Sequence, residues 1–180
     1  MTFDCHRISG GSTEGQVLIS PEPVCFYMID TDTGKINESG HALVGQSITD
    51  KILVLPSGKG SSVVQDEGLF GLKQKNTGPK GIIVKNPDTV LVAGTIVMDY
   101  PLFDRADSEF YNHIENDDFV KVDADKELIH LVKKTTLNKR KGYHFFVIFP
   151  VTHVFHKLLY LSASCLSLNV RVSLQKTPRP

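Results

Sequence analysis

A sheet-dominated domain with few helices is the fold class this sequence predicts, and three observations carry it. Short runs rich in β-branched and aromatic residues recur over the first 132 residues, each closed by Gly, Pro, Asn or Asp. A single longer segment has helical spacing followed by a helix stop. A late segment alternates between polar and apolar residues, as a strand with one wet face does.

The elements follow in order. "RISGGSTEG", residues 7–15, reads as a β-bulge or turn that needs positive backbone angles, with a ligand contact as the alternative. "QVLIS" and "VCFYMI" are the first two strand-like runs. "DTDTGKI", residues 30–36, is expected to be a hairpin turn in which Gly34 is left-handed and Asp or Thr side chains bond to the local backbone. "KILVLP" is the third run. In "SSVVQDEGLFGLKQKNTGPKG", Val63, Val64, Phe70 and Leu72 share part of a helical face, and Asn76, Gly78 and Pro79 supply the stop. Gly68 and Gly71 oppose that helix by about 1 kcal/mol each relative to alanine. "GIIVKN" and "TVLVAGTIV" read as further strands, and in "DDFVKVDADKELIHL" Phe119, Lys121 and Asp123 alternate with Val120, Val122 and Ala124.

The chain has 180 residues, enough for one domain with a core and some excess. Lys plus Arg and Asp plus Glu balance at 20 each, which favours a small-molecule or protein partner and gives no reason to expect nucleic acid. Cys5, Cys25 and Cys165 are widely spaced, with no CxxC and no histidine at ligand spacing. A reducing, cytoplasmic setting without disulfides or a metal site in this chain is therefore expected. "MTFDCHRISGG" shows no charged segment followed by an apolar one, so no secretory signal is expected.

Composition changes after residue 132. "KKTTLNKRKG" carries five basic residues and no acid, and a strongly apolar stretch follows. Pro150, His153, His156 and Lys157 interrupt that stretch, whereas a membrane-spanning helix needs about 20 mostly apolar residues. Residues 1–132 are thus read as the domain and 133–180 as a basic then apolar extension, peripheral in the first reading and a membrane anchor in the alternative. The final "SLQKTPRP" reads as a disordered tail.

"PSGKGSS", residues 56–62, joins the third strand to the helix. A phosphate loop needs GxxxxGK followed by Ser or Thr. Here Leu53 stands at the first glycine position and Gly60 follows Lys59, so that reading fails. Two remain. Ser61 or Ser62 caps the helix, as serine does at such places. Alternatively, the amides of Gly60, Ser61 and Ser62 face an anionic group, with Gly58 and Gly60 allowing close approach. His41, His113 and His130 are scattered, read as surface residues, and form no Ser/His/Asp set.

"RISGGSTEGQVLIS", "DTDTGKI", "HALVGQSITDKILVLPSGKGSS" and "DDFVKVDAD", in this order and spacing, resemble the small subunit of the aconitase X type hydro-lyases over residues 3–131. The resemblance implies an α/β, swivelling β/β/α domain like the C-terminal domain of aconitase, closing over a site held mainly by a large partner subunit. It implies loss of water from a hydroxy acid, (R)-5-phosphomevalonate giving trans-anhydromevalonate 5-phosphate. It also implies an iron–sulfur cluster on cysteines of the large subunit.

By the same resemblance Ser61, the first residue after "GKG", is the proton acceptor, with Gly60 and Ser62 beside the substrate. Lys59 is read either as a helper of the serine alkoxide or as an exposed lysine. Tyr27 and Met28 stand where relatives commonly carry a Gly-Gly pair. Other readings are a different hydroxy acid, such as a hydroxyproline, and a non-catalytic, membrane-associated protein that keeps the fold.

Overall fold

The computed structural model describes residues 1–133. In those residues strands β1 (Thr2–Asp4), β2 (His6–Ser9) and β3 (Thr13–Ile19) come first, followed by a 3-10 turn at Phe26–Met28. Next are β4 (Lys51–Leu55), α1 (Ser62–Lys75), β5 (Gly81–Val84), α2 (Thr89–Val97) and β6 (Leu102–Asp104). The last elements are α3 (Ser108–His113), β7 (Phe119–Asp123) and β8 (Leu128–Val132).

All the strands join one mixed sheet in the order β1-β8-β7-β3-β4-β5-β6-β2. Its centre, β3 to β6, is parallel, with Leu53 opposite both Leu18 and Ile82. The flanks are antiparallel. Parallel neighbours require a crossover, and α1 and α2 are the crossovers from β4 to β5 and from β5 to β6. Strand alternation divides the core in two. Leu53, Leu55, Ile82 and Val84 pack with Leu69, Leu72 and Leu91 of α1 and α2. Ile52, Val54, Ile83 and Phe103 pack with Phe110 and Ile114 of and after α3. Because both faces of the sheet are covered, β5 is buried at every residue.

The strands expected at "QVLIS", "KILVLP" and "GIIVKN" form, as does the helix after residue 61. Turn 30–36 is also as expected: Gly34 has φ +66°, and the Asp30 carboxylate accepts from the Asp32 N–H and the Thr33 hydroxyl. Those bonds, the backbone one first, hold the Asp30 carboxyl below the usual carboxylate range. "RISGGSTEG" contains a register shift between Arg7 and Ser9 and a left-handed Gly10 against the Pro101 backbone.

Other expectations are corrected. "TVLVAGTIV" is not a strand but helix α2: the Asp88 side chain accepts the N–H groups of Val90 and Leu91, and Thr95 bonds back to the Leu91 carbonyl. Tertiary demand for a crossover outweighs β-branched propensity here. "VCFYMI" is not a regular strand either. Val24 bridges Gly58, Ile29 bridges Ile36, and between them the chain turns over α1 with Phe26 buried. The glycine at 68 makes this possible, since a Cβ there would lie 2.3 Å from the Phe26 carbonyl carbon.

The buried face of α1 is therefore Gln65, Gly68, Leu69 and Leu72, while Val63 and Phe70 are exposed. "DDFVKVDADKELIHL" forms β7 and β8 as a hairpin, with Val120 and Val122 inward. His41 is buried rather than superficial. Among the described residues no helix is long and apolar enough to cross a membrane. The expectations for the apolar stretch and the terminal tail lie outside the described residues.

Candidate active site

The parallel centre of the sheet fixes where a site can form. Strands β4 and β5 end side by side, and α1 and α2 start just beyond them, so two helix N-termini meet at the carboxyl edge. The loops there are tied together: the Lys85 N–H donates to the Leu55 carbonyl at 3.0 Å and the Asn86 N–H to the Pro56 carbonyl at 2.9 Å. The N-terminus of α2 is occupied by Asp88. That of α1 is open.

Ser61 occupies the N-cap position of α1, with φ −77° and ψ 169°, but its hydroxyl makes no capping hydrogen bond. Ser62 is the first helical residue, and both serines are exposed. The serine-cap expectation thus holds for the position of Ser61 and not for its side chain. The amides of Ser62, Val63 and Val64 have no intrahelical partners, and the first turn of α1 carries no acidic residue to offset their partial positive charge. An exposed serine therefore stands at the same helix start as a set of unpaired N–H donors.

The loop that presents Ser61 is held residue by residue. Gly58 donates its N–H to Asp88 Oδ2 at 3.1 Å, Lys59 donates its N–H to the Val24 carbonyl at 3.0 Å, and the Gly60 carbonyl accepts from Gln65 Nε2 at 3.3 Å. Gly60 has φ +118°, a conformation that L side chains rarely adopt. Lys59 is not a lone surface lysine: its ammonium bonds to Glu38 Oε1, which raises its pKa above the ordinary lysine value.

The 37–47 segment also carries His41, whose Nδ1 accepts from the Leu43 N–H at 3.0 Å. In the neutral ring the proton is then on Nε2, which is buried without a partner among the described residues. Cys25 is half-buried at the edge of the loop, its sulfur 3.8 Å from where a Cβ on Gly60 would lie. His113 bonds to the Glu109 carbonyl and His130 to the Thr2 hydroxyl, both away from the loop.

Sequence reasoning placed Gly58, Lys59, Gly60 and Ser61 at the strand-to-helix junction where they lie, with Ser62 opening the helix. It missed Gln65, Asp88 and Glu38. Asp88 had a readable signal, an Asp after Asn-Pro and before an apolar run, which is an N-cap pattern. Tyr27 and Met28 are exposed and line a shallow cavity with Ile29, Asp30, Thr31 and Asn37.

A mixed sheet with two helices over one face, a third over the other, and a serine-bearing loop at the carboxyl edge defines a swivel-type α/β domain. The chain belongs to the aconitase X swivel domain family, whose profile matches residues 2–131. It is 36% identical over 133 residues to the phosphomevalonate dehydratase small subunit of Methanococcoides burtonii, covering 73% of this chain and 96% of that one. It is also 36% identical over 134 residues to the protein of the same name from Thermococcus kodakarensis, covering 74% and 98%. Among solved structures it resembles the holo-form of Thermococcus kodakaraensis aconitase X, with a TM-score of 0.67, 34% identity, and coverage of 74% of this chain and 99% of that one.

Proposed function

We propose that this chain is the small subunit of a cytoplasmic, two-subunit hydro-lyase that dehydrates (R)-5-phosphomevalonate to trans-anhydromevalonate 5-phosphate, with Ser61 as the base. Residues 1–132 are the swivel domain and residues 133–180 an added C-terminal extension. The observation that carries the reading is the Ser61 hydroxyl, which sits at a helix N-terminus and does not cap it.

Dehydration removes a proton from the carbon beside the carboxylate and a hydroxyl from the next carbon, so one water is lost in sum. Ser61 Oγ accepts that proton as the alkoxide. Serine is a weak base until the alkoxide is stabilised, and the unpaired first amides of α1 supply positive potential at the right place. Closure against the large subunit would exclude water and strengthen that effect. Gly60 brings backbone close to the substrate, and Ser62 offers a second hydroxyl. Lys59 is already paired with Glu38 and has no assigned step.

The described residues contain no group of His, Cys, Asp or Glu able to hold a metal ion. In this proposal an iron–sulfur cluster belongs to the cysteines of the large subunit, where it would serve as Lewis acid for the leaving hydroxyl.

The test is co-expression with a cysteine-rich large subunit, followed by assay on phosphomevalonate and a panel of other hydroxy acids. Phosphomevalonate should be the substrate turned over, and Ser61→Ala should abolish turnover while the heteromer still assembles. Full activity in that variant overturns the serine assignment, and turnover of another acid alone overturns the substrate.

A further inference from the structure

Asp88 starts α2 and Gln65 lies in the first turns of α1, yet both side chains end on the loop after β4. Asp88 divides its oxygens. Oδ1 accepts from Val90 and Leu91 at 3.1 and 2.9 Å, and Oδ2 accepts from Gly58 at 3.1 Å. Gln65 reaches the other end of the loop, with Nε2 3.3 Å from the Gly60 carbonyl and 3.4 Å from Asp88 Oδ1, while its backbone N–H makes the first helical bond of α1, to the Ser61 carbonyl at 3.0 Å. Turning the Gln65 amide over would set its oxygen against two other oxygens, so the network fixes its orientation. The fit leaves no spare room: a Cβ on Gly58 would lie 2.5 Å from Gln65 Oε1 and 2.7 Å from Asp88 Oδ2.

We propose that Gln65 and Asp88 are positioning residues for Ser61: they fix the backbone of Gly58 and Gly60, and so set the direction in which the hydroxyl of the next residue leaves the start of α1. This rests on the assignment of Ser61 as the base. A loop with glycine at two of four positions has wide conformational freedom, and a base must meet a carbon-bound proton in one geometry. Two buried or half-buried side chains remove that freedom. Asp88 does so at little cost in negative potential near an anionic substrate, because its carboxylate accepts from two amides at the start of α2, from the Gly58 N–H and from Gln65 Nε2.

Asp88→Ser separates positioning from folding, since serine still caps α2 but is too short to reach Gly58. In the assembled heteromer, kcat should fall about tenfold or more while KM stays within about threefold. In the full chain, amide hydrogen exchange at residues 58–60 should quicken about tenfold while exchange in α2 is unchanged. Gln65→Leu, which keeps the bulk but removes the donor, should reproduce both results. Undiminished kcat in both variants, or a fall in kcat with unaltered exchange at 58–60, overturns the proposal. A wild-type heteromer that dehydrates no hydroxy acid overturns the base assignment instead, and exchange then decides the anchoring by itself.

Discussion

The ammonium of Lys59 is hydrogen-bonded to Glu38 Oε1, so the cation in the middle of the serine loop is committed to the 37–47 segment. The second Glu38 oxygen is buried without a partner among the described residues, which leaves Lys59 as the group that neutralises this carboxylate. The bond raises the Lys59 pKa above its ordinary 10.5. The stability it adds is present in full below that ordinary value and is lost as pH rises through the raised one. Glu38→Gln should return the Lys59 titration, followed by NMR, to the ordinary range and remove that loss. Both side chains are partly exposed, so the effect on Tm should be small and should fade in high salt. A lysine that still titrates high in Glu38→Gln would refute the pairing.

The two cysteines of the domain should differ in reactivity. Burial pushes the Cys5 thiol up to about 11, with the nearby Glu127, Asp4 and Asp104 carboxylates adding to the shift. At pH 8 about one Cys5 in a thousand is then thiolate, the nucleophilic form. Cys25 is half-buried beside the loop. Iodoacetamide followed by peptide mass spectrometry should label Cys25 at least about tenfold faster than Cys5, with the gap closing as pH rises toward 11. Equal rates at pH 8 count against the buried setting of Cys5.

Glycines of this chain should respond to alanine with opposite signs. Helix propensity favours Gly68→Ala by about 1 kcal/mol, but the new Cβ would strike the Phe26 backbone at 2.3 Å. Overpacking should win, with a net loss of about 1–3 kcal/mol. Gly11 has nothing within 4 Å of a Cβ and no positive φ, so Gly11→Ala should be neutral or stabilising by up to about 1 kcal/mol. Denaturant titration of both variants measures the difference, and a stabilised Gly68→Ala would contradict the close crossing of α1 by residues 26–28.

What the sequence reveals of this fold tracks how local the cause is. "KILVL" and "GIIV" are legible because continuous apolar runs bounded by breakers suit strands buried on both faces. Turn 30–36 is legible because Asp30, Thr33 and Gly34 act within their own neighbourhood. "TVLVAGTIV" misleads because its helical state is imposed by the parallel pairing of β5 and β6, which no short window contains. The face of α1 misleads for a related reason. Gly68 and Gln65 face inward because the backbone at Phe26 and the loop at Gly58 arrive from elsewhere in the chain. The loop itself is readable as a strand-to-helix junction, whereas Asp88, 30 residues from Gly58, enters only through the fold.

The two helix starts at this edge of the sheet offer a direct contrast. Ser61 and Asp88 both hold N-cap positions, but Asp88 accepts from two amides of α2 and Ser61 accepts from none in α1. Ser61→Ala should therefore cost much less than the roughly 1 kcal/mol typical of a lost serine cap, leaving Tm nearly unchanged. Asp88→Ala should cost about 1–2 kcal/mol, since it removes a working cap and the Gly58 bond together. Activity should order the serine variant the other way, with turnover abolished in the heteromer although the chain is as stable as before. Thermal melts of the full chain beside assays of the assembled enzyme make the comparison. A Ser61→Ala melt as depressed as that of Asp88→Ala would mean that the hydroxyl is spent on the helix and is not held ready for a proton.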